Sequence, residues 1–212
     1  MKPHGKNRAR FRGVVIVTGL LTTASVLAAA DTGVRAQNAS PLPTPDAALI
    51  ALARDAVRNA VTGSVSAPAH DAVSPETPAR GVFVTIERDG TVIGCRGTLR
   101  PRFATLRAEV QTAARSAATA DPRYCPLTPA DLSRFRVTVT VIERLEPVGR
   151  GEALTLTPAD GLALESGSRT GVVLPYEGRD PATRLRWAYK KAGVPNDSSC
   201  RLWRIVARRF RG

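Results

Sequence analysis

Apolar and polar residues along this chain recur with two different periods, and the switches between them mark its elements. From Asp46 onward, Leu49, Ile50, Ala53, Val57, Ala60 and Val61 form a stripe at helical spacing. Asp46 is placed to cap that helix and Gly63 to end it. Residues 63–80 are rich in Pro, Ser and Ala and read as a loop. Gly81 to Glu87 then alternates, with Val82, Val84 and Ile86 on one side. Asp89-Gly90 supplies a hairpin turn and Thr91 to Gly97 returns. Arg102 to Ala118 carries Leu106, Val110, Ala113, Ala114 and Ala117 on one helical face.

Phe135, Val137, Val139 and Val141 alternate with Arg136, Thr138 and Thr140, which predicts a half-buried strand. Shorter strands are expected over Leu162 to Glu165 and Gly171 to Leu174. Asp180-Pro181 opens a further helix as cap and first-turn proline, and Gly193 closes it. A last strand covers Arg201 to Phe210. Hairpins interleaved with helices, without regular strand–helix alternation, predict a single α+β domain over residues 46–212. Its sheet is expected to be mixed but mostly antiparallel, flanked by about three helices.

The first 45 residues follow a different pattern. Lys2, Lys6, Arg8, Arg10 and Arg12 precede an uncharged stretch from Gly13 to Ala30 that ends in three alanines. A basic segment, an apolar segment and small residues at a cut site make a secretory signal over residues 1–30. Cleavage after Ala30 fits, and so does cleavage after Ala36. The rival reading is a retained anchor, since 18 residues just reach the span of a bilayer core. Residues 31–45, with three prolines, read as a linker. Both readings place the domain outside the cytoplasm, either periplasmic or secreted, or held on the inner membrane facing outwards.

Composition narrows the chemistry. The chain has 212 residues, 43% of them apolar, enough to bury one sizeable core. Its two histidines, His4 and His70, leave almost no material for histidine metal sites or serine triads. Lys and Arg number 31 against 18 Asp and Glu, a formal charge of +13. Loss of residues 1–36 removes six bases and one acid and lowers that charge to +8. Arg201, Arg204, Arg208, Arg209 and Arg211 crowd the C-terminus but interleave with Trp203, Ile205 and Ala207. That alternation describes one solvated strand face rather than a nucleic-acid site, and leaves attraction to anionic membrane surfaces as the broader expectation.

Around the first hairpin the sequence runs Gly81-Val-Phe-Val-Thr85, Asp89-Gly90 and Ile93-Gly94-Cys95-Arg96-Gly97-Thr98. Further on come Leu106-Arg-Ala-Glu109-Val110 with Ala113-Ala114, then Asp121-Pro122-Arg123-Tyr124 with Pro126-Leu127. Gly171-Val-Val-Leu-Pro175 and Lys191-Ala192-Gly193 follow in order. Taken together these resemble the AMMECR-type domain, whose signature is a hairpin leading into Gly-Cys-Ile-Gly-Thr. The likeness covers about residues 46–211. Arg96 and Tyr176 depart from it, standing where the family has an apolar residue and commonly a glutamine, and the segment after Pro175 is short. The resemblance implies a mixed sheet flanked by helices. It implies little about activity, because the family's molecular function is poorly defined. Some relatives are encoded beside Memo-like and radical-SAM proteins, which the resemblance offers as partners. Family members are usually cytoplasmic, so an export signal is atypical.

The motif makes Cys95 the candidate nucleophile. Gly94 and Gly97 leave room for close approach, and with Arg96, Thr98, Arg123 and Pro175 they are the candidate binding residues. A reactive thiolate needs a cation nearby. Adjacent strand residues point to opposite faces, so Arg96 serves only if the glycines break the strand; otherwise Arg100, Arg102 or Arg123 has to approach through folding. Glu109 and Asp121 are the candidate bases. The alternatives are that Cys95 packs a tight hairpin, that Asp121 turns the chain and pairs with Arg123, and that Glu109 is solvated. Cys125 and Cys200 lie off the family signature in a chain read as exported, which predicts a Cys125–Cys200 disulfide with Cys95 free. The spacing offers no metal site and calls for no cofactor. Two functions stand: a binding module centred on residues 94–97, and a thiol-dependent enzyme or redox protein using Cys95.

Overall fold

A computed structural model describes residues 45–64 and 77–212. The signal or anchor, most of the linker and His70 lie outside the described residues. Helix α1 spans Pro45–Thr62, and the hairpin is β1 (Val82–Arg88) and β2 (Thr91–Thr98). Helix α2 (Leu106–Thr119) and a short 3-10 turn (Pro129–Ser133) lead to β3 (Phe135–Val148). Helix α3 (Arg150–Ala153), β4 (Gly161–Ser166), β5 (Arg169–Val173), α4 (Pro181–Ala192) and β6 (Arg201–Arg211) complete the order.

The six strands form one sheet in the order β2-β1-β3-β6-β4-β5. Every pairing is antiparallel, in keeping with the mostly antiparallel sheet the sequence predicts. The first hairpin turns as its sequence predicts, with Asp89 at φ 50° and Gly90 at φ 81°. Strands β3 and β6 are the long pair that carries the sheet from one half to the other. Alternation predicted β3 only to Val141; it continues to Val148 through a register shift between Ile142 and Arg144. That irregularity breaks the period-two pattern, which hid the second half of the strand.

Helix α2 starts at Leu106, the first residue of its apolar stripe, and not at the expected Arg102. The Thr105 hydroxyl accepts the Ala108 N–H at 3.2 Å and caps the helix, leaving residues 99–104 as a loop. Helix α4 follows its punctuation closely: Asp180 accepts the Thr183 N–H at 2.8 Å, and Gly193 closes it at φ 66°. The 3-10 turn and one-turn α3 are too short to announce themselves through periodicity.

Alternation along the strands sorts the side chains into two faces. On one, α1 and α2 cover Val82, Val84, Ile86, Val137, Val139 and Val141. On that same side of the second half, α4 covers Leu162, Leu164, Val173 and Leu202 with Leu185, Ala188 and Tyr189. Each of these large side chains stabilises the fold by about 1.5–3 kcal/mol. The other face carries Phe83, Leu99, Ile142, Ala163, Leu174 and Ile205. Among the described residues no helix packs across it. The sheet instead curls over it, bringing its two edge strands, β2 and β5, to the walls of one cavity.

The three cysteines are free, which corrects the expected disulfide. Cys125 is exposed on the segment after α2, beside Arg88 and Ile93 of the first hairpin. Cys200 packs against the α4 cluster, its Sγ 3.2 Å from the Tyr189 hydroxyl. The two thiols belong to opposite halves of the sheet. Among the described residues no helix is long and apolar enough to cross a membrane.

Candidate functional site

Because β2 is an edge strand, its outward backbone groups need partners from outside the sheet. At Cys95 the segment following α2 provides them. The Cys95 N–H donates to Asp121 Oδ2 at 2.8 Å, and Arg123 Nη2 donates to the Cys95 carbonyl at 2.6 Å. Asp121 is itself held by Arg123, whose Nε reaches Oδ1 at 2.9 Å and whose Nη2 reaches Oδ2 at 2.8 Å. The Arg123 N–H adds a third bond to Oδ1 at 3.1 Å. This pair stands in for a neighbouring strand at one residue of the edge.

Burial pushes the Asp121 carboxyl up, but the bonds from Arg123 and the Cys95 N–H outweigh it and hold it below the ordinary carboxylate range. Arg123 is raised in turn by its bond to Asp121. Asp121 thus reaches the backbone of Cys95, while the thiol projects elsewhere. Cys95 Sγ sits 3.3 Å from the Thr85 hydroxyl, its cross-strand neighbour on β1. Burial pushes the thiol up; the Thr85 bond lowers it, Glu177 raises it, and Arg123 and Lys191 lower it, with burial prevailing.

The cavity holds about 620 Å³, within the usual range for small-molecule sites. Cys95, Arg96 and Gly97 of β2 and Phe83 of β1 form one side. Thr170 and Val172 of β5, then Leu174 and Glu177, form another. Trp187, Lys190 and Lys191 of α4, with Pro122 and Arg123, complete the lining. Lys191 is paired with Glu177 at 2.6 Å, and Glu177 also accepts the Leu174 N–H at 3.1 Å.

The structure gathers some of the residues singled out in the sequence and separates others. Cys95, Arg96, Gly97 and Arg123 share the cavity, and Asp121 supports its wall from behind. Glu109 does not join them. It is buried, and its Oε1 accepts the Phe103 N–H at 2.6 Å together with the Arg102 N–H, fixing the loop before α2. Gly94 faces α2, where a Cβ would overlap the Ala117 carbonyl oxygen, so it serves close helix packing. Thr98 lines a void of about 60 Å³ beside Glu109, and its buried hydroxyl has no partner among the described residues. Pro175 is buried against Gly161, outside the cavity lining. Arg100 pairs with Glu165 at 2.7 Å, well away from the thiol's partners.

Trp187, Lys190, Glu177, Val172 and Phe83 were not foreseen as site residues. One signal was legible: Trp187 lies off the α4 stripe of Leu185, Ala188 and Ala192, and an exposed Trp on an amphipathic helix calls for an explanation. Among the described residues no group of three or more His, Cys, Asp or Glu is placed to hold a metal.

The chain is similar in sequence and fold to other proteins. A protein of Aeropyrum pernix is 42% identical over 125 residues, covering 53% of this chain and 54% of its own length. A Thermotoga maritima protein is 36% identical over 136 residues, covering 62% of this chain and 77% of its own length. A Methanothermobacter thermautotrophicus protein is 33% identical over 177 residues, covering 76% and 91% respectively. The crystal structure of an uncharacterised protein from Pyrococcus horikoshii superposes with a TM-score of 0.67 at 28% identity, over 77% of this chain and 89% of that one. A sequence profile of the AMMECR1 family matches residues 50–212. The chain belongs to the AMMECR1 family.

Proposed function

We propose that this AMMECR1 domain is a small-molecule-binding module whose site is the cavity between the two edges of its sheet. The carrying observation is the cavity itself: about 620 Å³, an apolar floor that includes Phe83, Val172 and Leu174, and charged groups on β2, on α4 and on the segments that follow α2 and β5. Cys95 contributes wall and shape. Its surroundings favour binding over thiol chemistry, because burial holds the thiol protonated and both candidate bases are bonded to backbone N–H groups. The test is a ligand-observed NMR screen of a small-molecule library against the chain and its Val172→Trp variant, which places a bulky ring in the cavity wall. Binders that vanish with Val172→Trp support the reading. Binders indifferent to it overturn the reading.

The same reading places the domain outside the cytoplasm, supported by the basic, apolar and small-residue order of residues 2–30. Mass spectrometry of the chain recovered from a bacterial host tests this. Loss of the first 30 or 36 residues, or an intact chain in the membrane fraction, agrees with export. An intact chain in the cytosol contradicts it.

A further inference from the structure

The charges around the cavity are not balanced. Arg96, Arg123, Lys190 and Lys191 line it against the single carboxylate of Glu177. Arg123 is engaged by Asp121 and Lys191 by Glu177. Arg96 on β2 and Lys190 on α4 have no ion-pair partner among the described residues, and both are exposed to the solvent that fills the cavity. These two border the same cavity from different elements. The same lining includes a surface of opposite character. Phe83, Val172, Leu174 and Pro122 offer apolar area, and Trp187 leaves 42% of its surface uncovered. A buried core does not need that exposed ring, and a plain charged surface does not need the apolar floor.

An inorganic anion would satisfy the cations and leave the apolar floor wet. A neutral apolar molecule would cover the floor and strip water from two uncompensated charges, which is costly. Only a molecule with both features uses the whole lining. We propose that the cavity's ligand is a small amphiphilic anion, a flat apolar body bearing a carboxylate-, sulfonate- or phosphate-type group, with the body against Trp187 and Val172 and the anion between Arg96 and Lys190. This rests on the cavity being the binding site, and it names the chemical class of what binds there. Desolvation of the apolar walls strengthens the charge contacts, because water no longer screens them fully.

The probe pair is anilinonaphthalene sulfonate and its uncharged parent phenylnaphthylamine, which share one ring system and differ by the anion. Fluorescence titration of the full chain is expected to give one sulfonate probe per chain, bound at least about tenfold more tightly than the parent. The paired variant Arg96→Gln with Lys190→Gln is expected to weaken the sulfonate about tenfold and to change the parent by less than about twofold. Bound sulfonate also shields Cys95 from iodoacetamide, read by mass spectrometry, which locates the probe without a variant that alters folding. Equal binding of both probes, unmoved by the paired variant but shielding Cys95, overturns the anionic ligand and leaves the binding site standing. Sulfonate binding that fails to shield Cys95 overturns the proposal, since the probe then sits elsewhere. Failure of both probes to bind overturns both readings.

Discussion

The Asp121 carboxylate accepts the backbone N–H of Cys95 at 2.8 Å, closing the sheet edge from a segment 26 residues further along the chain. A strand edge is ordinarily satisfied by another strand or by water. Here an ion pair does it, with Arg123 bonding the Cys95 carbonyl while it neutralises Asp121. The consequence is a rigid wall for the cavity at the one residue whose side chain lines it and whose backbone is clamped on both sides. Removal of the carboxylate leaves a part-buried N–H and a half-exposed guanidinium without their partner. Asp121→Ala is therefore expected to destabilise the fold by about 2–4 kcal/mol. Hydrogen exchange of the Cys95 amide checks the cause: it should accelerate relative to its neighbours on β1. Unchanged exchange at Cys95 in a destabilised variant would assign the effect elsewhere.

Acid should act through the same group. Asp121 and Asp160 are both held below the ordinary carboxylate range; in each, burial raises the group and hydrogen bonds override it, from Arg123 and the Cys95 N–H in one and from Thr157 and Arg204 in the other. A carboxyl lowered by folding contributes stability that is complete above its unfolded value near about 3.9 and is lost as pH falls through the folded value. Stability is therefore expected to be insensitive to these groups at neutral pH and to decline below about pH 4. Urea unfolding of Asp121→Asn should show a shallower acid decline than the parent chain. An identical decline in both would remove Asp121 from the account.

Arg184 is an arginine in a place where arginines are seldom found. It is 2% exposed, and its guanidinium donates to the carbonyls of Leu156, Thr157 and Asp160, the last at 2.7 Å. It ties α4 to the loop that enters β4, and so fixes the helix that carries Trp187 and Lys190. Burial lowers its pKa, opposed by Asp160 and Asp180. Arg184→Leu keeps the volume and takes a donor from three carbonyls, of which Thr157 retains the Asp160 N–H at 3.0 Å, with an expected cost of about 2–4 kcal/mol by denaturant unfolding. A neutral result would mean that water replaces the guanidinium freely.

The glycines of the motif divide by what a side chain would strike. A Cβ at Gly97 would overlap the Val82 carbonyl oxygen and the Phe83 backbone, whereas one at Gly151 in α3 meets nothing within 4 Å. Gly97→Ala is expected to cost more than about 2 kcal/mol and Gly151→Ala less than about 0.5 kcal/mol by thermal unfolding. Similar values for the two would show that the β1–β2 hairpin gives way easily.

Much of this fold was legible because its signals are local. Asp89-Gly90, the Asp180 cap, Gly193 and the alternation of Phe135 to Val141 each fix an element through a few neighbouring residues. What stayed hidden is what depends on distance in the chain. The irregularity after Ile142 broke the alternation of β3, and no spacing rule places α4 beside β2, so Trp187 and Lys190 could not be joined to Cys95. The sequence leaves Asp121 either a base or the partner of Arg123; the structure pairs the two, and their grip on the Cys95 backbone follows from β2 being an edge strand. The disulfide failed for the same reason. It was argued from compartment and family pattern, and Cys125 and Cys200 fold onto opposite halves of the sheet. Thiol titration of the unfolded chain without reductant should therefore count three thiols per chain.

The alkylation rate of Cys95 against pH in the folded chain, followed by mass spectrometry with Cys125 and Cys200 tracked separately, tests the central claim most directly. With Cys95 as cavity wall, exposed Cys125 reacts first, and Cys95 reacts slowly with a midpoint above the ordinary thiol value of about 8.5. A fast Cys95 with a midpoint well below that value would make it an activated nucleophile and contradict the binding account.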